Sequence, residues 1–365
     1  VEIKTVLKAS VAAGALLALA APVDALAGGK VSAANSKVDL TIGGRVHRTL
    51  HYIDDGKHDA IFQGAGISSN SEMWLTGEGK LTESVSMGAY MRWDISKNDA
   101  SHSFATGNPT TSDTEDTGQS KYEYIYFKSA SMGTLSMGAI EPVADGTVDA
   151  HNGSFAGEAS AYLSAVRTTT SAGAFSGTAT NFVGVVDAGI DANRVRYDSP
   201  SFSGFSVGGD LEHGGGGSVA VNYSGTVAGI ALDASYGYEA DGGGDSISGG
   251  SIRLKHSSGL HLSGNYAKNS VEGSTADQKF WRVVGGYDAK LNSLGNTNIS
   301  LYYEESEDKT AKGNESEAMG IGIGQALDAV GGNIQLDYMT FSFSDAAATN
   351  YNDIDVVLLE TSFNF

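Results

Sequence analysis

Apolar and polar residues alternate along most of this chain, and the period is two. In residues 84–95, Val85, Met87, Ala89, Met91, Trp93 and Ile95 share one face, while Ser84, Ser86, Gly88, Tyr90, Arg92 and Asp94 share the other. Successive side chains of a strand point to opposite faces, so this is the pattern of a strand with one apolar and one polar side. Sixteen segments follow it: 38–52, 70–82, 84–96, 120–129, 132–140, 193–199, 202–212, 217–224, 226–239, 246–256, 259–269, 278–288, 296–305, 316–325, 332–343 and 353–365. Arg48 interrupts the apolar face of the first, which suits a position near a membrane rim.

The connections alternate as well. Residues 53–69, 97–119 and 141–192 are long, whereas 83–84, 129–132 and 198–203 are short. An even number of strands with long loops on one side and tight turns on the other is the layout of an outer-membrane barrel. Pro109 and Pro142 fall in long loops and Pro200 in a short turn, so no proline removes a ladder hydrogen bond inside a segment. A soluble β-sandwich also alternates, but its inner face is a packed core. Here the polar face carries large charged residues on consecutive segments, which fits a wall lining water. Many aromatics of the apolar face, such as Tyr52, Trp93, Trp281 and Tyr303, fall near segment ends, as an interfacial girdle requires. The expected fold is all-β, a transmembrane antiparallel barrel of sixteen strands.

Composition narrows the chemistry. The sequence has 49 Gly, 4 Pro, no Cys and a net charge of −20. Without Cys there are no disulfides and no thiolate metal sites. The acidic balance argues against nucleic acid as a partner, because that needs a basic footprint. Residues 1–27 have the three-part layout of a signal peptide: Lys4 and Lys8, an uncharged stretch at 9–23, and Ala25-Leu26-Ala27 as the cleavage site. The mature barrel is then 28–365. No apolar run there reaches the ~18 residues of a spanning helix.

The chemistry of a water-lining wall is permeation. By alternation the inward bases include Arg45, Lys80, Arg92, Arg194, Arg196, Arg253, Lys255 and Arg282, and the inward acids include Glu72, Glu78, Asp210, Asp233, Glu239, Glu304 and Asp337. Rings of such charges set ion selectivity. Loop 141–192 is far longer than a passive connection and carries Asp145, Asp149 and Glu158, with Arg167 as its only base. Enzyme signatures fail on context. Gly204–Gly208 matches G-x-S-x-G but lies within an alternating strand, not at a strand–turn–helix elbow. "DGGGDS" at 241–246 lacks the repeats of a Ca²⁺ site. No cofactor or metal is expected.

Two stretches carry a family resemblance. "NRVRYDSPSFSGFSVGGDL" (193–211) resembles the N-x-V-R-Y-D-S-P-x-F-x-G-F signature of Gram-negative trimeric porins, and "YIYFKSASMGTLSMGAIE" (124–141) resembles the strand–turn–strand before their constriction loop. "SFAGE" (154–158) is a faint match to that loop's turn. The resemblance implies a homotrimer in the outer membrane that contacts its lipid and passes small hydrophilic solutes and ions without catalysis. It implies that the third loop folds inward, so that Asp145, Asp149 and Glu158 face Arg45, Lys80 and Arg92 across the opening. It also implies that Phe363 and Phe365, on the apolar face of the last segment, form the signal read by the barrel-assembly machinery. Ala139 stands where the family usually has Arg, which thins the expected basic ladder. The acid excess points to a preference for cations. The alternatives are a barrel enzyme acting on lipid or peptide and a non-conducting structural or adhesive barrel.

Overall fold

The computed structural model describes residues 35–66, 70–96, 102–103, 110–111, 118–148, 167–172, 175–179, 182 and 192–365. The segment 1–27, expected from the sequence to be a signal peptide, lies outside them. Sixteen antiparallel strands form one closed barrel. They are β1 (Val38–Asp54), β2 (Glu72–Lys80), β3 (Ser86–Asp94), β4 (Gln119–Ser129), β5 (Gly133–Ile140), β6 (Ala192–Asp198), β7 (Phe205–Glu212) and β8 (Gly217–Val227). The second half comprises β9 (Ile230–Ala240), β10 (Ser246–His256), β11 (Leu260–Ser270), β12 (Gln278–Ala289), β13 (Thr297–Glu307), β14 (Glu315–Leu327), β15 (Gly332–Ser344) and β16 (Ile354–Asn364). Each strand pairs with the next, and β16 closes onto β1 from Arg45↔Asn364 to Asp54↔Asp355. Closure satisfies the backbone groups that an open edge would leave bare in lipid.

The two faces divide as alternation requires. Outward residues such as Ile42, Val207 and Leu301 are 45%, 51% and 61% exposed, which suits lipid rather than water. Arg48 is outward too, in register with Thr361 of β16, three positions from the Arg45–Asn364 end of the seam. Ala139 is also outward, paired with Glu123 and Asn193. Its side chain is not on the pore wall, so the absence of Arg there removes nothing from the lumen.

The segment 53–69 is not one long loop. Asp59–Ala65 returns along β1, from Asp54↔Asp59 to Arg48↔Ala65. The turn is tight because the Asp55 carboxylate accepts the backbone N–H groups of Lys57 and His58, at 2.9 and 2.6 Å, and Gly56 takes φ +83°. The Gly66 N–H then donates to the His47 carbonyl at 3.2 Å, and β2 takes over along β1 at Arg45↔Glu72. Ser71 Oγ accepts the His47 N–H at 3.0 Å and so ties the start of β2 to the same stretch of β1.

Phe365 belongs to the seam. Its N–H donates to the Gly44 carbonyl and its carbonyl accepts from the Gly44 N–H, both at 2.9 Å. Its ring lies where a Cβ on Gly44 would be. Phe363 stacks beside it at 6.3 Å between ring centroids.

Candidate pore lining and its inward loop

The chain after β5 folds into the barrel. Between Val143 and Val148 it crosses the inner faces of five strands. Asp210 of β7 accepts the Val143 N–H at 2.8 Å, and Ser218 of β8 accepts that of Ala144 at 3.3 Å. Ser235 of β9 donates to the Thr147 carbonyl at 2.8 Å, and Asn265 of β11 donates to that of Val148 at 2.6 Å. This arm lies in a trough of small residues. Gly208, Ala220, Gly237, Gly249 and Ala267 occupy one continuous register row across β7–β11. A Cβ on Gly208, Gly237 or Gly249 would meet Val143, Ala144 or Val148. Absent side chains on the wall therefore make the room that the loop fills.

A second arm covers the closing side. Residues 167–169 and 175–178 form a short hairpin, and Thr168 and Thr169 are fully buried. The Asn352 N–H donates to the Thr169 carbonyl at 2.7 Å, and Thr169 Oγ1 donates to Asp55 at 3.1 Å. Beneath this arm the wall is apolar: Ile53, Val284, Met339, Phe341, Val356 and Leu358 point inward and are buried with Ala179 and Phe182. Phe182 meets Phe343 and Tyr351 edge-on at 5.5 and 5.3 Å. The loop 345–352 that supplies Tyr351 and Asn352 is tied by Asp345, whose carboxyl is held below its usual range, first by the Thr349 backbone N–H.

Most of the inward bases are bound to acids. Arg45 donates to Glu72 at 2.5 Å, Arg92 donates to the same carboxylate, and Lys121 is 3.9 Å away. Glu72 is itself only 1% exposed, so three cations gather on one buried carboxylate. Arg194 is the reverse case. It meets Asp210 at 2.8 Å and Glu212 and Glu239 at 3.2 Å each, so one buried cation serves three acids. Arg196 pairs with Asp198 at 2.9 Å and donates to the carbonyls of Glu141 and Pro142, clamping the start of the loop. Arg253 pairs with Asp233, Lys255 with Asp288 and Arg282 with Glu304.

Arg45 and Arg92 thus come together, while Lys80 sits apart at the turn end of β2, in register with Ser86. Asp145 lines a cavity of about 440 Å³ with Arg196 and Arg253, against β7–β10. Asp149 and Glu158 lie outside the described residues. Asp241 caps the 241–245 turn by accepting three backbone N–H groups, and no metal-ligating cluster occurs among the described residues.

Alternation did not single out two features. One is the buried apolar patch on the closing side. The other is a run of tyrosines on the open wall. Tyr122, Tyr124 and Tyr126 of β4 point inward beside Tyr90 of β3. Their inward direction follows from the same period, and only their clustering needs the register between strands. Ring centroids are 5.3 Å apart for Tyr90–Tyr124, 6.3 Å for Tyr124–Tyr126 and 6.5 Å for Tyr90–Tyr122. Tyr126 donates to Glu78 at 2.7 Å, Tyr122 donates to Glu141, and Arg92 stacks on Tyr122 at 5.1 Å.

A model of the Gram-negative porin family matches residues 9–346. No curated protein sequence matches the chain. Among solved structures it is similar to the trimer form of OmpT, an outer membrane protein of Vibrio cholerae: TM-score 0.58, 12% identity, 90% of this chain and 99% of that one. It is similar to an anion-selective porin from Comamonas acidovorans, with TM-score 0.58 and 15% identity over 90% of this chain and 100% of that one. The outer membrane channel DcaP of Acinetobacter baumannii gives TM-score 0.60 and 12% identity over 93% and 100%. At such identities these structures speak to the fold alone, and the family match over nearly the whole length does the rest: the chain belongs to the Gram-negative porins, outer-membrane β-barrel channels.

Proposed function

We propose that this chain forms a passive, non-catalytic diffusion channel for ions and small hydrophilic solutes, works as a homotrimer, and prefers cations. The observation that carries the sign is the pairing of the wall bases. Arg194 is outnumbered by three carboxylates, and Arg196, Arg253, Lys255 and Arg282 each have an acid partner. A paired base offers a passing anion little. The Glu72 cluster works the other way, and it is one site against a chain of net charge −20. In this reading Asp145, Asp149 and Glu158 are the acids of the narrowing. The fold does not fix the sign, since a structure of the same fold is called anion-selective; individual side chains must. The trimer form recorded for a structural relative supports the assembly. Cleavage after Ala27 and recognition of Phe363 and Phe365 by the assembly machinery belong to the same reading.

Planar-bilayer recording tests it. Stable conductance steps in threes, and a zero-current potential of cation sign in a KCl gradient, are expected. Changing Asp145→Asn, Asp149→Asn and Glu158→Gln together shifts that potential toward anions. The part of the preference due to the mouth fades in concentrated salt, because screening acts beyond a Debye length of roughly 10 Å at 0.1 M. An anion-selective wild type, or a triple variant with an unmoved potential, overturns the assignment.

A further inference from the structure

The tyrosine run borders a cavity of about 490 Å³ on the luminal face of β3–β6. That volume is within the ordinary range for a small-molecule site, roughly 300–1,000 Å³. We infer that this face is a saccharide subsite, in which Tyr90, Tyr124 and Tyr126 stack the apolar faces of sugar rings while flanking charged side chains bind their hydroxyls.

Three observations converge on it. First, the rings are seated to present faces. Gly88 lies opposite Tyr126 in the register, and a Cβ there would overlap the ring, so the tyrosine lies flat along the wall. Second, the rings are held in place. Tyr126 is tied to Glu78, and Tyr122, almost fully buried, is tied to Glu141 behind the others. A surface ordered before binding loses little entropy on binding. Third, the inner walls of β7–β11 and of the closing strands are covered by the loop's described arms, whereas among the described residues this wall borders a cavity.

The polar groups select the ligand class. The cavity is lined by Arg92 and Arg196 and equally by Glu141 and Asp198. Arg92 is already on Glu72 and Arg196 on Asp198. A carboxylate ligand would meet acids beside bases that already have partners. A neutral polyol gains from both, because each hydroxyl donates one hydrogen bond and accepts others. Sugar C–H groups carry partial positive charge and suit the negative face of a tyrosine ring. A flat aromatic solute would use the rings but leave the polar flank unanswered.

The inference deepens the channel reading, and its test separates the two. Calorimetry on the detergent-solubilised full-length protein with maltotriose reads binding without any current. Saturable binding is expected. It weakens about five- to tenfold in Tyr124→Ala, in line with the loss of one ring contact, and stays near wild type in Tyr124→Phe, which keeps the ring. Heat-modifiable gel migration confirms that each variant is folded, and Tyr90→Ala gives a second reading should Tyr124→Ala fail to assemble. In bilayers the same sugar blocks the KCl current in the same order of variants. No heat from maltotriose, equal affinity in the Ala variants, or tighter binding of benzoate than of maltotriose overturns the saccharide assignment. Sugar binding without any ion conductance would instead leave the subsite standing and remove the channel reading.

Discussion

The inner wall of β2–β6 and that of β7–β16 have the same backbone geometry and the same two-residue period, yet they meet different neighbours. On the first, half-buried tyrosines and paired arginines face a cavity. On the second, small residues form a trough for the loop's first arm, and apolar residues form a buried seat for its second. Alternation decides which side chains point inward. What they meet there depends on where a distant segment lies, and the wall is shaped to receive it. The lumen of this barrel is therefore part water channel and part protein core, divided along strand boundaries.

This contrast can be broken from the covered side. Arg194 holds Asp210, which in turn holds the Val143 N–H of the loop. Arg194→Ala leaves buried carboxylates without their cation and costs about 3–5 kcal/mol. Urea titration of the refolded barrel reads the loss, and protease cuts within 141–192 read the released loop; an unchanged midpoint would show that the acids do not depend on Arg194. Gly237→Val fills the trough where Ala144 and Thr147 lie. Overpacking of this kind costs about 1–3 kcal/mol, and the loop, not the ladder, should yield. The expected readout is noisier conductance with an intact barrel on heat-modifiable gels. The smallest effect is that of Phe343→Ala, which removes the edge-on contact with Phe182, worth about 0.5–1.5 kcal/mol beyond its area. It sharpens the comparison by loosening only the second arm. Cleavage should rise near 175–182 and not near 143–148, and equal cleavage at both would mean that the arms move as one.

Most of the barrel was legible because a membrane wall demands strict alternation. The segments at 84–96, 217–224 and 332–343 sit within a few residues of β3, β8 and β15. The misreading at 53–69 arose because Asp59–Ala65 is only seven residues long and pairs with the same edge of β1 that β2 uses further along. Ala139 was misplaced for a related reason: a family comparison names a position, whereas the register with Glu123 and Asn193 fixes its face. The direction of Arg45 and Arg92 was legible, but their convergence on Glu72 was not, since the three belong to different strands. The trough is harder still. Gly208, Ala220, Gly237, Gly249 and Ala267 form a row only after five strands are aligned, and in one dimension they are ordinary small residues.

The seam between β1 and β16 has a kinetic meaning. It joins residues from opposite ends of the described chain, Arg45 with Asn364 and Asp54 with Asp355. Every other wall pairing joins strands that are consecutive in the chain, and apart from β5 with β6, which the 141–192 loop separates, those hairpins can zip up locally. The seam cannot, and contacts of such long range are slow to form. Until it does, both terminal strands are open edges carrying unpaired donors and acceptors, the state in which strand proteins associate wrongly. The 17-residue β1 bears on this directly: its inner end is already occupied by β2 and its outer end by Asp59–Ala65. One of its two edges is thus satisfied from the start, and only the other waits for the chain's far end to arrive.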